Sequence, residues 1–377
     1  MTTLLRGLGT AQPPHSLDQP DLAAAAAPCS CATDRQRKLL PALYRRAAVE
    51  RRHSVVVNTP GNRNGNGQAQ LPVRDRMLAF YPPAADADDR GPGLADRMRR
   101  YPEEALPLAA DAARAALDDA GVPPESVAQL VTVSCTGFSA PGVDLGLLQT
   151  LGLPPTTQRT LVGFMGCHGA LNGLRVARAL AADLPRDQHV LLVCVELCTL
   201  HFQYGWDPQK IVANALFADG AAAAILSNVT DTRPDLPALE PRHQASVVLP
   251  GSADAMTWLI RDHGFEMTLS PRVPDLVRRH LRPWLEPWLD SLGISLPGVR
   301  GWAIHPGGPR VVTAVEEALG LPGDAGDPSR DVLRQCGNMS SPTVLFILDR
   351  LRRDAVPRPW VALAFGPGLT IEAAVFV

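Results

Sequence analysis

The chain has 377 residues, a net charge of −2, 46% hydrophobic residues and 20% charged residues. These values favour one large or two medium-sized globular domains and exclude a disordered chain. The near-neutral charge favours neither nucleic acid nor an anionic membrane as a partner, and no apolar run approaches the ~20 residues that span a bilayer. The first residues lack the pattern of a secretory signal. Seven cysteines, an odd number, favour reduced thiols and a cytoplasmic location.

The first hundred residues carry few periodic patterns. We expect irregular structure over residues 11–33, and a loop over residues 58–93, where Gly, Asn, Pro and Asp are frequent. Between these segments, residues 34–53 hold seven Lys or Arg, which is typical of the solvated face of a helix and also of a binding site for anions.

Helix and strand patterns alternate from about residue 105 onward, which predicts α/β layers. Runs rich in β-branched and apolar residues predict strands at 129–135 and 189–196, and apolar side chains at helical spacing predict a helix at 169–184. The second half repeats this order with the segments 301–308, 341–354 and 360–368.

The two halves are related in sequence. A shift of 172 residues places residues 117–135 on residues 289–307 without a gap. Chance similarity between generic helices and strands is the alternative explanation, but further segments align at nearly the same shift. Repeats of this size usually come from a duplicated unit, so we predict two related α/β halves, residues 1–230 and 231–377.

Cys167 is the cysteine with the strongest indication of reactivity. It follows a strand-like run, stands at the first turn of the predicted helix and has a glycine on either side within two positions. Unpaired N–H groups and the positive end of the helix dipole favour a thiolate there, and a thiolate is a nucleophile at neutral pH. The alternative, a small buried hydrophobe, suits Cys135, Cys194 and Cys336 better.

The internal repeat predicts two partners for this cysteine. The same shift places Cys167 on Met339, next to Asn338, and places His305 at the end of a strand. If the halves pack around a pseudo-twofold axis, Cys167, His305 and Asn338 meet and supply a nucleophile, a base and an amide donor for an oxyanion. Papain-like proteases use the same residue types, but their signature around the cysteine is missing.

Five segments together resemble type III polyketide synthases, the chalcone synthase superfamily. They are GFMGCHGALNGLRVA, ALFADGAAAAIL, WAIHPGGPRV, CGNMSSPTVLFILD and AFGPGLTIE. The resemblance covers nearly the whole chain. It implies a thiolase fold with a layered αβαβα arrangement, a homodimer, malonyl-CoA and an acyl-CoA starter as substrates, and no metal or organic cofactor.

The resemblance also implies roles for single residues. Cys167 would accept the acyl group, and His305 would hold it as a thiolate and donate to the thioester carbonyl. Asn338 would stabilise the enolate that forms when malonyl-CoA loses carbon dioxide. Phe217 matches the gatekeeper phenylalanine between the CoA tunnel and the cavity. Arg46 matches a CoA-binding lysine of the family, and Lys38 is a further candidate for CoA.

The predicted cavity departs from that of the plant enzymes. Cys198 and His201 stand at positions that are threonines in chalcone synthase, while Trp258 and Met267 replace a glycine and a phenylalanine. Ser340 follows Asn338 and is also assigned to the cavity. These differences argue against a chalcone product and resemble the bacterial branch that makes alkylresorcinols and alkylpyrones.

We therefore predict an acyltransferase that extends an acyl-CoA starter with malonyl-CoA and cyclises the product to an alkylresorcinol or alkylpyrone. Three alternatives stay open: a synthase of the tetrahydroxynaphthalene type that uses malonyl-CoA alone, a chalcone-type enzyme, and a non-catalytic thiolase-fold subunit. Non-catalytic subunits of this fold normally lack the cysteine. Cys29 and Cys31 form a C-x-C pair without a second pair, so we expect no metal site.

Overall fold

The computed structural model describes residues 2–57, 72–228 and 238–377. The helices in these ranges are α1 (Gln19–Ser30), α2 (Asp34–Arg45), α3 (Val73–Phe80), α4 (Leu94–Ala120), α5 (Val143–Leu151), α6 (Gly169–Ala182), α7 (Pro208–Leu216), α8 (Val273–Ser291), α9 (Pro309–Leu319), α10 (Asp327–Cys336) and α11 (Thr343–Arg353). The strands are β1 (Thr3–Ala11), β2 (Ser16–Asp18), β3 (Arg51–His53), β4 (Val127–Ser134), β5 (Gln158–Gly163), β6 (His189–Leu197), β7 (Asp219–Asn228), β8 (Pro241–Val248), β9 (Met256–Arg261), β10 (Gly264–Leu269), β11 (Gly301–Ile304), β12 (Trp360–Gly366) and β13 (Thr370–Phe376).

Two sheets with the same topology form the centre of the fold. The first has the strand order β1-β7-β6-β4-β5 and the second has the order β8-β13-β12-β11. In the first sheet β6 runs parallel to β4 and antiparallel to β7. In the second, β12 runs parallel to β11 and antiparallel to β13. Each strand of the second sheet therefore has a counterpart in the first, which confirms the predicted duplication.

The helices complete five layers. Helices α6 and α11 contact strands of both sheets and lie between them, while α4 covers the outer face of the first sheet. Apolar side chains of α8 and α9 share a buried cluster with residues of β11 and β12, so these two helices cover the second sheet. This is the αβαβα order expected of a thiolase fold.

The repeat extends to the turns. The short 3-10 helices Pro124–Ser126 and Leu296–Gly298 are separated by 172 residues and lead into the equivalent strands β4 and β11. Gly152 and Gly320 end α5 and α9 with left-handed φ angles of 69° and 66°. Glycine adopts this conformation without steric cost, so it stops both helices at matching points.

Two local predictions need correction. Residues 11–33 are not irregular, because they contain β2 and the twelve-residue helix α1. The apolar residues of α1 are mostly alanines spread around its circumference, and several of them are buried, so no amphipathic period marks it in the sequence. The predicted loop at 58–93 contains α3. Its residues 58–71 and the predicted domain boundary at 230/231 lie outside the described residues.

Candidate active site

One cavity brings together most of the predicted site residues. The empty space between its walls is about 940 Å³, including the part that opens to solvent, and its surface is mainly apolar. The predicted residues that line it are Cys167, Cys198, His201, Phe217, Trp258, Met267 and Ser340. The cavity therefore takes side chains from both halves of the chain.

Cys167 lies where the two halves meet, in a short 3-10 turn before α6. Its side chain is buried, and its sulfur is 3.6 Å from the hydroxyl oxygen of Ser340. Gly166, with a φ of 73°, lets the turn approach the C-terminal loop, since a Cβ there would lie 2.7 Å from Pro367 Cδ. The contacts around the sulfur thus depend on segments nearly two hundred residues away.

The surroundings of Cys167 oppose the thiolate predicted for it in the protein without substrate. Burial raises the pKa of the Cys167 thiol to about 12, and the hydrogen bond from Ser340 offsets this only in part. The cost of burying a charge therefore outweighs the helix dipole. Burial likewise lowers the pKa of His305 to about 3. Burial therefore opposes the charged forms of both the thiol and the imidazole.

Asn338 is held beside Phe217 by its backbone. Its N–H donates to Leu216 O at 2.9 Å, and Ala218 N–H donates to Asn338 O at 2.9 Å. Its side-chain Oδ1 accepts from Ser340 N–H at 2.8 Å, which fixes the orientation of the amide. The geometry gives the buried Nδ2 no hydrogen-bond partner within the described part of the chain, and the amide lies near enough to Cys167 to lower the pKa of its thiol. A donor is therefore available there for a substrate oxygen.

His305 is the first residue after β11 and follows directly on the last pair of the parallel β11–β12 ladder, Ile304 and Leu363. Its backbone N–H donates to Leu363 O at 2.7 Å, and its side chain is fully buried. Neither ring nitrogen has a hydrogen-bond partner among residues 2–57, 72–228 and 238–377. His168, the residue after Cys167, is near enough for its charge to lower the pKa of His305. Both ring nitrogens therefore keep their hydrogen-bonding capacity, although His305 is not among the residues that line the cavity.

Glu196 is a site residue that sequence reasoning missed. This carboxylate at the end of β6 is fully buried, and burial raises its pKa. It accepts hydrogen bonds from Cys135 N–H at 2.9 Å, the Thr136 hydroxyl at 2.7 Å and the Ser341 hydroxyl at 2.6 Å. Its negative charge also helps to raise the pKa of Cys167. The signal in the sequence was one carboxylate at the end of an otherwise apolar strand.

An aromatic group closes one side of the cavity. The His201 ring stacks on Phe265 with 4.2 Å between the centroids, and Trp258 meets both rings edge-on. His201 Nδ1 accepts from Phe265 N–H and Nε2 donates to Thr136 O, while Trp258 Nε1 donates to Cys135 O at 2.7 Å. These bonds use the polar atoms of both rings, so the group presents apolar surface to the cavity.

The two residues assigned to CoA lie elsewhere. Lys38 is on α2 and Arg46 is at its C-terminal end; both are exposed and neither lines the cavity. The basic residues that line it are Arg52 and Lys210. Lys210 forms an ion pair with Glu266 at 3.5 Å. Lys210 is one of only two lysines in the chain, and its position in the site was not predicted.

Neither a metal-binding cluster nor a membrane-spanning helix is present among the described residues. Across the described ranges, no three His, Cys, Asp or Glu side chains are placed to hold a metal ion together. Within the same residues, no helix combines the length and the apolar character needed to cross a bilayer.

Comparison with known proteins agrees with this geometry. Residues 71–229 match the N-terminal domain and residues 242–377 the C-terminal domain of the chalcone and stilbene synthases. The alpha-pyrone synthesis polyketide synthase-like Pks18 of Mycobacterium tuberculosis is 30% identical, over 99% of this chain and 90% of that protein.

Two solved structures have a similar fold along the whole chain. PKS-I from the brown alga Ectocarpus siliculosus superposes with a TM-score of 0.87 at 28% identity, covering 100% of this chain and 98% of that chain. The C-terminal type III polyketide synthase domain of Steely1, a type I/III hybrid from Dictyostelium, gives 0.86 at 25% identity, covering 100% and 99%. The chain therefore belongs to the chalcone and stilbene synthase family, the type III polyketide synthases, and is an enzyme of the acyltransferase class.

Proposed function

We propose that this enzyme extends a medium- or long-chain acyl-CoA with malonyl-CoA and cyclises the product to an alkylpyrone or alkylresorcinol. The observation that carries the proposal is an apolar wall of the cavity, built by the N-terminal segments. Such a wall binds an alkyl chain by the hydrophobic effect and offers a polar starter few hydrogen bonds. Its residues are Leu17, Leu22, Val56, Val57, Met77 and Tyr81. The name of the Mycobacterium relative, which refers to alpha-pyrone synthesis, is in line with this product.

The first chemical step is acyl transfer to Cys167. Its thiol attacks the starter thioester while His305 takes the thiol proton, and the coenzyme A thiolate leaves and recovers that proton. The resting pKa values, raised for the thiol and lowered for the imidazole, support this transfer during attack over a preformed ion pair. Coenzyme A leaves as the thiol, and no net proton is consumed.

The second step is decarboxylative condensation. Malonyl-CoA loses carbon dioxide, and the resulting enolate oxygen is held by Asn338 Nδ2, a buried donor without a partner among the described residues, and by His305. The enolate carbon attacks the acyl group on Cys167, and the thiolate leaves. Each extension consumes one proton, which returns Cys167 to the thiol. Phe217 lines the cavity beside Asn338 and supplies an apolar surface that favours loss of the carboxylate.

A malonyl-only synthase of the tetrahydroxynaphthalene type is the second candidate. The group formed by His201, Trp258 and Phe265 fills one side of the cavity and is fixed by hydrogen bonds. If the alkyl chain of a starter has to pass this aromatic group, the bulk of the group favours a short starter.

A homodimer is part of the proposal. Among the described strands, β5 has a partner on one side only, and an unpaired strand edge readily pairs with another chain. The exposed apolar side chains at this edge are Phe138, Leu161 and Met165. Phe138 also contacts Phe265, with 6.3 Å between the ring centroids, so a partner would cover a surface next to the cavity wall. Light scattering after size-exclusion chromatography measures the assembly, and a monomeric mass would contradict it.

The test is a series of acyl-CoA starters of increasing chain length with malonyl-CoA, with the products identified by mass. We expect alkylated pyrones or resorcinols with a maximum at a medium or long chain. A product made from malonyl-CoA alone, whatever starter is offered, would contradict the proposal and support the second candidate.

Trp258→Gly then tests the aromatic wall formed by His201, Trp258 and Phe265. The matched control is Leu259→Gly, because Leu259 is the next residue on the same strand and its side chain is exposed. Opening the wall should let Trp258→Gly use longer starters than the wild type, whereas Leu259→Gly should keep the wild-type preference. Equal profiles for all three proteins would mean that the alkyl chain does not meet this wall.

A further inference from the structure

Arg52 is a buried cation beside the cavity that the proposed chemistry does not use. It is the middle residue of the short strand β3 and pairs with Leu17 of β2. Successive side chains of a strand point to opposite faces, so Arg51 faces solvent while Arg52 is only 3% exposed. The two adjacent arginines therefore have different environments.

The Arg52 guanidinium binds main-chain oxygens at the end of α7. It donates to Asn214 O at 2.5 Å and to Phe217 O. These carbonyls lie in the last turn and at the C-cap of the helix, where backbone oxygens lack helical partners and a cation is favourable. Within the described residues no Asp or Glu lies within ion-pair distance of Arg52, and the buried Asp219 acts on it only through its charge, which partly offsets the lowering of the Arg52 pKa by burial. The backbone carbonyl of Phe217, the proposed gatekeeper, is therefore one of the main contacts of the buried Arg52 guanidinium.

The same peptide segment is tied to Asn338. Leu216 and Ala218, the neighbours of Phe217, exchange backbone hydrogen bonds with Asn338 at 2.9 Å each. Phe217 is therefore held from two sides, by the Arg52 side chain and by the Asn338 backbone. A displacement of the α7 terminus would move both the gatekeeper ring and the amide proposed to stabilise the enolate.

We propose that Arg52 is a positioning residue for decarboxylation: by binding the Phe217 and Asn214 carbonyls, it holds Phe217 and Asn338 in register with Cys167. This inference rests on the proposed function. Arg52 touches no reacting atom in it and acts through the backbone of α7. Burial lowers the pKa of Arg52 only to about 10, so the guanidinium stays charged at neutral pH.

The test compares Arg52→Met and Arg52→Lys with the matched control Arg51→Met, whose exposed side chain pairs with Asp18 at 3.0 Å. The rate of malonyl-CoA decarboxylation is divided by the number of active sites, counted by mass spectrometry as the protein that carries one acyl adduct on Cys167 after reaction with an acyl-CoA starter. We expect kcat per site to fall roughly ten- to a hundredfold for Arg52→Met, with a smaller change in KM, because hydrogen bonds to a charged group are worth about that factor in an equilibrium constant and here they hold the transition-state contacts in place. Arg52→Lys should be intermediate, because an ammonium cannot bridge both carbonyls as the guanidinium does.

The outcomes separate this inference from the proposed function. If Arg52 serves only folding, Arg52→Met lowers the melting temperature and the number of acylated sites but leaves kcat per site unchanged, which would overturn the inference. Arg52→Lys allows the same comparison if Arg52→Met does not fold. Arg51→Met should match the wild type, and an equal loss of kcat in Arg51→Met would also overturn it. A wild-type enzyme that does not decarboxylate malonyl-CoA would instead refute the proposed function.

Discussion

Replacing Asn338 by alanine tests the proposed oxyanion site most directly. The change removes the buried Nδ2 donor, which has no partner in the described part of the protein, together with the Oδ1 acceptor of Ser340 N–H. Loss of one preorganised oxyanion donor typically costs about 3 kcal/mol of transition-state stabilisation. At about 1.4 kcal/mol per factor of ten, malonyl-CoA decarboxylation should slow somewhat more than a hundredfold. Acylation of Cys167 should change far less.

A second variant separates this loss from a loss of stability. Breaking the bond to Ser340 should cost about 1 kcal/mol of unfolding free energy. Asn338→Asp keeps the oxygen that accepts from Ser340 N–H but replaces the donor by a carboxylate, so it should decarboxylate as poorly as Asn338→Ala while keeping that bond. The assays are acetyl-CoA release from malonyl-CoA, intact-protein mass spectrometry for acylation, and thermal unfolding. Equal slowing of acylation and decarboxylation would refute the assigned role and make Asn338 a structural residue.

Three further predictions concern other parts of the site. Cys167→Ala should keep the fold and abolish the single acyl adduct seen by mass spectrometry, and an adduct on Cys198 in the wild type would contradict the assignment of the nucleophile. Arg46→Glu should raise the KM for CoA thioesters, whereas an unchanged KM would make the α2 arginines part of a solvated face. Burial lowers the pKa of His201 from 6.5 to about 3, so the unfolded chain binds the additional proton as the pH falls below 6.5. Its contribution to stability is full above pH 6.5 and is lost toward pH 3, by at most ~1.4 kcal/mol per pH unit. His201→Phe should flatten this acid-side fall in melting temperature, and an unchanged slope would show that folding does not lower the pKa of His201.

Features that depend on neighbours in the sequence were predicted correctly. The strands at 129–135 and 189–196 and the helix at 169–184 correspond to β4, β6 and α6, because their periodicity records which face is buried. The duplication was also visible, since both halves use the same elements and end matching helices with glycine, as at Gly152 and Gly320.

Features that depend on contacts between distant segments could not be predicted from the sequence. Helix α1 was missed because it is buried on several sides, which removes the contrast between an apolar and a polar face. The contacts of Glu196 and of Arg52 join residues that are 60 to 165 positions apart in the chain, and no local pattern announces such partners.

The pKa of Cys167 depends both on the local sequence and on the tertiary structure, and the two have opposite effects. The sequence by itself determined that this cysteine precedes a helix, a position whose dipole favours a thiolate. Only the tertiary structure decided how far the two halves would bury it, and burial raises its pKa to about 12. A helix dipole is a local property, whereas desolvation is the sum of everything that packs around the sulfur, including Ser340 from the other half of the chain.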